Sequence, residues 1–75
     1  MSSTPRRVHI DSSTLTSAGY STEESVLDAE FHHGAVYRYF LVPEAVYEGL
    51  VNAESKGRYF NAVIKGRYPF EKRDG

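Results

Sequence analysis

Two strand-forming runs on either side of a His-His-Gly sequence limit most strongly how this chain can fold. In the first run, Leu27, Ala29 and Phe31 alternate with polar residues, as in a strand with one buried face. The second run, residues 35–42, is rich in Val, Tyr and Phe, which favour strands. The spacing predicts a β-hairpin with a three-residue loop and Gly34 in the left-handed region.

The loop length sets the register of this hairpin. A three-residue loop places Asp28 opposite Arg38, which is a favourable cross-strand charge pair. A two-residue loop would place Arg38 among the apolar side chains of the first strand, where an unpaired cation is costly. We therefore expect the first register, in which the apolar face pairs Leu27 with Tyr39 and Ala29 with Tyr37.

Weaker patterns on both sides of the hairpin predict the remaining elements. Residues 8–10 and 15–20 are expected to form short strands, and apolar spacing predicts a helix over 43–53. Ser55 is placed to cap a second helix over 56–64. Because strands precede helices, the class is α+β: a small antiparallel sheet of about three strands with a central hairpin, packed against two C-terminal helices.

The length of 75 residues fits one domain. We expect that domain over residues 8–71, with disordered tails at 1–7 and 72–75. The sequence has no cysteine, which excludes disulfides and thiolate zinc sites. We find no apolar run of membrane-spanning length and no signal-peptide pattern, so a cytoplasmic location is expected.

Residues suited to catalysis or metal binding occur without the spacing that such sites need. His32 and His33 are adjacent on a turn and are expected to be solvated, so with His9 they form no ligand set. The carboxylates of Asp28 and Glu30 are expected on a solvated sheet face. Residues 9–13 contain His, Asp and Ser, but real triads gather from distant segments. We therefore expect no enzyme activity, no cofactor and no metal.

A net charge of −1 hides a strong asymmetry along the chain. Residues 1–55 carry three basic and eight acidic side chains, giving −5, whereas residues 56–75 carry six basic and two acidic side chains, giving +4. Within the basic part, residues 56–60 are echoed by residues 65–70, each with two cations, a glycine and two aromatic rings. Cations and stackable rings are what proteins use to bind single-stranded nucleic acid. The candidate contact residues are Arg38, Lys56, Arg58, Tyr59, Lys65, Arg67 and Tyr68.

The same stretches resemble a known family. The resemblance covers residues 8–71, with its densest part at 55–61 and a Tyr-Arg-Tyr sequence at 37–39. The chain resembles the KTSC domain, which occurs as a small bacterial protein and at the C-terminus of some lysyl-tRNA synthetases. One departure is His33, where a turn-forming Asn is expected before the glycine. Attachment to a synthetase implies RNA binding.

Two functions from different classes follow as hypotheses. The first is a monomeric, non-enzymatic module that binds RNA, either tRNA or a single strand, through the basic C-terminal part. The second is a protein-interaction domain, in which the same basic segment docks an acidic partner or an edge strand extends another sheet.

Overall fold

The computed structural model describes residues 6–73 and contains one five-stranded antiparallel sheet. The strands follow one another across the sheet in chain order: β1 Val8–His9, β2 Leu15–Ser21, β3 Val26–Phe31, β4 Val36–Tyr39 and β5 Phe70–Arg73. Between β4 and β5 lie α1 Glu44–Asn52, α2 Lys56–Tyr59 and a π-helical turn, Phe60–Ile64. The α+β class is confirmed, and the sheet has five strands rather than about three.

The hairpin formed by β3 and β4 has the predicted loop and register. The Phe31 N–H donates to the Ala35 carbonyl at 2.9 Å, which closes a three-residue loop, and Gly34 has a φ of +96°. Asp28 lies opposite Arg38. The apolar pairs are also as predicted, Leu27 with Tyr39 and Ala29 with Tyr37.

The core lies between the sheet and the helical segment. Phe60 and Ile64 are fully buried on the π-helical turn, and Leu50 is fully buried on α1. The Ser55 hydroxyl accepts a hydrogen bond from the Arg58 N–H at 3.4 Å, so the predicted cap of the second helix is confirmed. The predicted helix over 56–64 is present, but its second half is π-helical rather than α-helical.

The prediction that residues 72–75 form a disordered tail is wrong for Lys72 and Arg73. These residues belong to β5, where they pair with Tyr37 and Val36 of β4. The Phe40 N–H also donates a hydrogen bond to the Pro69 carbonyl at 2.8 Å, which fixes the start of β5 beside the end of β4. Residues 74–75 lie outside the described residues. The sequence does not predict this strand, because residues 71–73 are all charged and Phe70 is its only apolar residue.

Most of the predicted N-terminal tail, residues 1–7, lies outside the described residues. Residues 1–5 are not among the described residues, and Arg6 and Arg7 are exposed and without regular secondary structure. The Arg6 backbone nevertheless lies against β2, since a Cβ added at Gly19 would come within 2.5 Å of its carbonyl oxygen. No helix within residues 6–73 has the length and apolar character needed to cross a membrane.

Candidate nucleic-acid interface

A groove of about 400 Å³ lies on the helix-bearing face of the sheet, beside the end of the hairpin. Its walls are mostly aromatic and come from four separate segments of the chain. It is lined by Phe31, His33, Tyr37, Tyr39, Lys65, Gly66 and Phe70. A concave apolar surface with a few polar groups is the usual form of a ligand site.

The aromatic rings form one continuous surface. Phe70 lies against both tyrosines of β4, with ring centroids 5.6 Å from Tyr37 and 5.5 Å from Tyr39. Phe31 meets Tyr37 edge to face at 5.7 Å, and His33 stacks on Phe31 at 5.7 Å with an angle of 10° between the planes. Phe70 is 54% exposed, so one face of this aromatic surface is open to a ligand.

Two tyrosine hydroxyls add polar groups to this apolar surface. Within residues 6–73, neither Tyr37 nor Tyr39 has a hydrogen-bond partner for its hydroxyl. Tyr39 is only 4% exposed, yet no described side-chain oxygen is both sealed from solvent and unpartnered, so its hydroxyl keeps some contact with solvent, and Tyr39 is one of the residues that line the groove. Burial, and to a lesser extent the neighbouring Tyr37, raises the pKa of Tyr39. The hydroxyl therefore stays protonated at neutral pH and can donate.

The π-helical turn brings a cation to the groove. Its wide hydrogen bond runs from the Lys65 N–H to the Phe60 carbonyl at 2.9 Å, and Gly66 follows with a φ of +76°. The left-handed conformation at Gly66 turns the chain sharply after the helix, which glycine adopts without strain. The turn thus places Lys65 and Gly66 on the groove while Phe60 anchors it in the core.

Strand β5 separates its charged side chains between two faces. Lys72 pairs with Tyr37 and Phe70 pairs with Tyr39, so Lys72 lies on the groove side of the sheet. Glu71 and Arg73 take the opposite face, where they form an ion pair with each other. Lys72 is therefore a second cation on the groove side.

Among the predicted contact residues, Arg38 lies on the far side of the sheet from the groove. Its guanidinium donates two hydrogen bonds to the Asp28 carboxylate, at 2.8 and 3.0 Å. The bond to Asp28 also raises the pKa of Arg38, against the opposing effect of burial. Asp28 is 5% exposed, which corrects the expectation that it lies on a solvated face. Arg38 thus has a structural contact within the domain.

Lys56 and Tyr59 also have contacts within the domain. The Lys56 ammonium donates to the Ala53 carbonyl at 2.8 Å, and the Tyr59 hydroxyl donates to the Val46 carbonyl at 3.0 Å. The Tyr59 side chain lies so close to α1 that a Cβ added at Gly49 would collide with its hydroxyl oxygen. The Lys56 ammonium and the Tyr59 hydroxyl therefore each have a hydrogen-bond partner within the domain.

The remaining predicted residues divide between the groove and the surface. Lys65 lines the groove, and Arg67, two residues further on, is exposed. Arg58 is exposed on α2, and Tyr68 is half-buried against the core. The structure therefore brings Lys65, Gly66 and Phe70 to the groove, with Lys72 on the same side of the sheet. Residues 56–59 form α2 and do not line the groove.

The groove residues missed by sequence reasoning are mainly the rings from the hairpin and β5. The predicted register places Tyr37 and Tyr39 on the apolar face of the hairpin, and the Tyr39 ring packs edge to face on Phe60 at 5.5 Å, in the core. Tyr37 instead lies at the edge of the core and lines the groove. A signal for β5 existed in the alternation of Phe70 and Lys72 with Glu71, which places a carboxylate opposite Arg38.

The two loop histidines have contacts that the prediction of a solvated turn did not include. His32 is exposed, but its Nε2 donates to the Ser12 carbonyl at 2.6 Å, and its Nδ1 is 3.1 Å from the Thr16 hydroxyl. It therefore ties the hairpin loop to the start of β2. Among the described residues, no group of three or more His, Cys, Asp or Glu side chains is placed to hold a metal ion.

Comparison with known proteins identifies the family. Residues 11–68 match the sequence profile of the KTSC domain. An uncharacterised protein of Stutzerimonas stutzeri is 46% identical, with 84% of this chain and 89% of that protein covered. A lysine–tRNA ligase of Nostoc punctiforme is 44% identical over 83% of this chain, which spans 11% of the ligase. The crystal structure of a KTSC domain protein from Yersinia pestis superposes with a TM-score of 0.89 at 35% identity, covering 95% of this chain and 100% of that one. The chain therefore belongs to the KTSC domain family.

Proposed function

We propose that the protein is a non-enzymatic module that binds RNA, with the aromatic groove and the cations Lys65, Arg67 and Lys72 as one contact surface. The observation that carries this proposal is that Lys65, Phe70 and Lys72 all lie on the groove side, beside the tyrosines of β4. Rings for stacking and cations for phosphate are thus combined in one place.

The charge distribution supports an anionic partner at this surface. The segment 56–75 carries a charge of +4, whereas residues 1–55 carry −5. Its exposed cations include Lys65, which lines the groove, and Arg67, two residues further on. A polyanion would meet this segment first, because the acidic remainder of the protein repels it. The preference for a single strand follows from the rings, since bases stacked within a duplex are not available to them.

The family context supports RNA among the polyanions. A relative of this chain forms part of a lysine–tRNA ligase of Nostoc punctiforme, an enzyme whose name states that it acts on tRNA. A second such ligase, from Trichormus variabilis, is 47% identical over 71% of this chain. A domain that forms part of such an enzyme lies close to bound tRNA, which makes RNA a natural candidate ligand.

Titration with labelled single-stranded RNA and with tRNA, at several salt concentrations, tests the proposal. We expect binding at low salt that weakens steeply as salt rises, because phosphate contacts release counterions. If Lys65, Arg67 and Lys72 each contact one phosphate, the slope of log K against log salt should be about −2 for a single strand.

A matched pair of variants on β5 separates a located contact from a general charge effect. Lys72→Gln removes a cation on the groove side, and Arg73→Gln removes one on the opposite face, with the same change in net charge. We expect Lys72→Gln to lower the salt slope by about 0.7 and Arg73→Gln to leave it nearly unchanged. No saturable binding by the wild type at low salt, or equal effects of the two variants, would contradict the proposal.

One observation favours a protein partner as a second candidate. Strand β5 is at the edge of the sheet, so one row of its backbone groups is free to pair with a strand from another chain. Light scattering of the pure protein at low and high salt reports self-association through this edge. Its charged residues Glu71, Lys72 and Arg73 oppose such pairing, which is why we place RNA binding first.

A further inference from the structure

The groove has polar groups that a purely apolar ligand would leave unused. The Tyr37 and Tyr39 hydroxyls have no partner within residues 6–73, both residues line the groove, and the Tyr39 hydroxyl keeps some contact with solvent although the residue is 96% buried. A hydroxyl on a buried ring has a fixed position, so its hydrogen bonds can discriminate between ligands with different polar groups along one edge. Each hydroxyl can donate one hydrogen bond and accept others.

The remaining walls define the rest of the ligand. Phe70 offers an open ring face, and the stacked pair of His33 and Phe31 forms a second aromatic wall. Lys65 supplies a positive charge on the groove. A matching ligand is flat, has hydrogen-bonding groups along one edge and carries a negative charge.

We propose that the groove is a pocket for one unpaired nucleotide of the RNA, whose base stacks on Phe70 while its polar edge meets the hydroxyls of Tyr37 and Tyr39. The phosphate of that nucleotide meets the Lys65 ammonium. This inference rests on the proposed function and adds to it the unit that is recognised. The volume of about 400 Å³ is at the lower end of the range for small-ligand sites and suits a single base with its sugar.

The pocket has a consequence for the kind of RNA that binds. A base can enter only when it is unstacked and unpaired, so the domain must prefer loops, ends and single strands over duplex RNA. Because the two hydroxyls read the base edge, affinity must also differ among RNA homopolymers. A surface that uses cations alone would show neither preference.

Removal of single hydroxyls provides the sharpest test. Tyr39→Phe keeps the ring that packs on Phe60 and removes only an oxygen that has no hydrogen-bond partner within residues 6–73, so the variant should remain folded. Fluorescence anisotropy with labelled homopolymeric RNA of about ten nucleotides, a length typical of small single-strand binders, measures its affinity. We expect Tyr39→Phe to reduce the difference in affinity among the homopolymers, with no change in salt slope.

Phe70→Ala tests the stacking surface. Loss of one base–ring stack should weaken binding of the preferred homopolymer roughly 10- to 100-fold. The matched hydroxyl control is Tyr59→Phe, because the Tyr59 hydroxyl bonds to Val46 between the helices, away from the groove. We expect Tyr59→Phe to bind RNA like the wild type, and circular dichroism confirms that each variant is folded.

The outcomes separate this inference from the proposed function. If the wild type binds RNA but Tyr39→Phe and Phe70→Ala bind all homopolymers like the wild type, the nucleotide pocket is overturned and RNA binding stands. Equal affinity of the wild type for duplex and single-stranded RNA also overturns the pocket. Absence of any RNA binding by the wild type overturns both proposals. Displacement of bound RNA by uridine 5′-monophosphate, but not by an acidic peptide, supports the pocket.

Discussion

Phe60→Ala is expected to leave the domain largely unfolded at room temperature. Phe60 is fully buried, and its ring meets Phe31 at 5.4 Å and Tyr39 at 5.5 Å, in both cases edge to face. Truncation of such a ring in a core costs about 3–5 kcal/mol, through lost burial and the cavity that remains. The core of a domain of this size supplies little more than that amount. Residues 6–73 contain no cysteine and no group of three or more His, Cys, Asp or Glu side chains placed to hold a metal ion.

Phe70→Ala is the matched control for this stability measurement. It removes the same atoms from a ring that is 54% exposed, so its cost should be about 1 kcal/mol. Denaturant unfolding of the wild type and both variants, followed by circular dichroism, gives the two losses. Equal losses for the two variants would show that the core does not lie between the π-helical turn and the sheet.

Arg38→Met is expected to have the second largest effect on stability. The Asp28 and Arg38 side chains are 7% and 15% exposed, and they form two parallel hydrogen bonds between β3 and β4. Removal of one partner from a buried ion pair leaves the other charge without compensation, which costs about 3–5 kcal/mol. Chemical denaturation at neutral pH measures the loss.

The double variant separates the ion pair from the packing of its side chains. Arg38→Met combined with Asp28→Leu removes both charges, so most of the lost stability should return. Arg73→Met is the matched control, because its ion pair with Glu71 is about half exposed and should contribute less than about 1 kcal/mol. A double variant as unstable as the single one would indicate that Arg38 stabilises the sheet by another contact.

The hairpin could be predicted because its determinants are local. Apolar alternation, a loop glycine and the cost of burying Arg38 among apolar residues together allow only one register, and the structure has that register. The caps and apolar faces of the helices are local in the same sense. Ser55 caps the second helix as expected, and Leu50 points into the core.

The groove could not be predicted because it depends on contacts between distant segments. Phe70 reaches Tyr37 and Tyr39 only after the chain has passed through both helices, and a strand of mainly charged residues gives little apolar pattern. The similarity between residues 56–60 and 65–70 suggested that both segments contact the ligand. In the structure the two segments have different surroundings. Tyr59 packs against Gly49 of α1, whereas the second copy contributes Lys65 and Phe70 to the groove.

Contacts between RNA base protons and the aromatic rings of the protein test the central claim most directly. In a saturated complex with single-stranded RNA, intermolecular nuclear Overhauser effects should connect base protons to the rings of Phe70 and Tyr37, which lie on the open surface of the groove. Effects that connect the RNA to Tyr59 or to the Arg38 side of the sheet instead, with none to Phe70 or Tyr37, would contradict it.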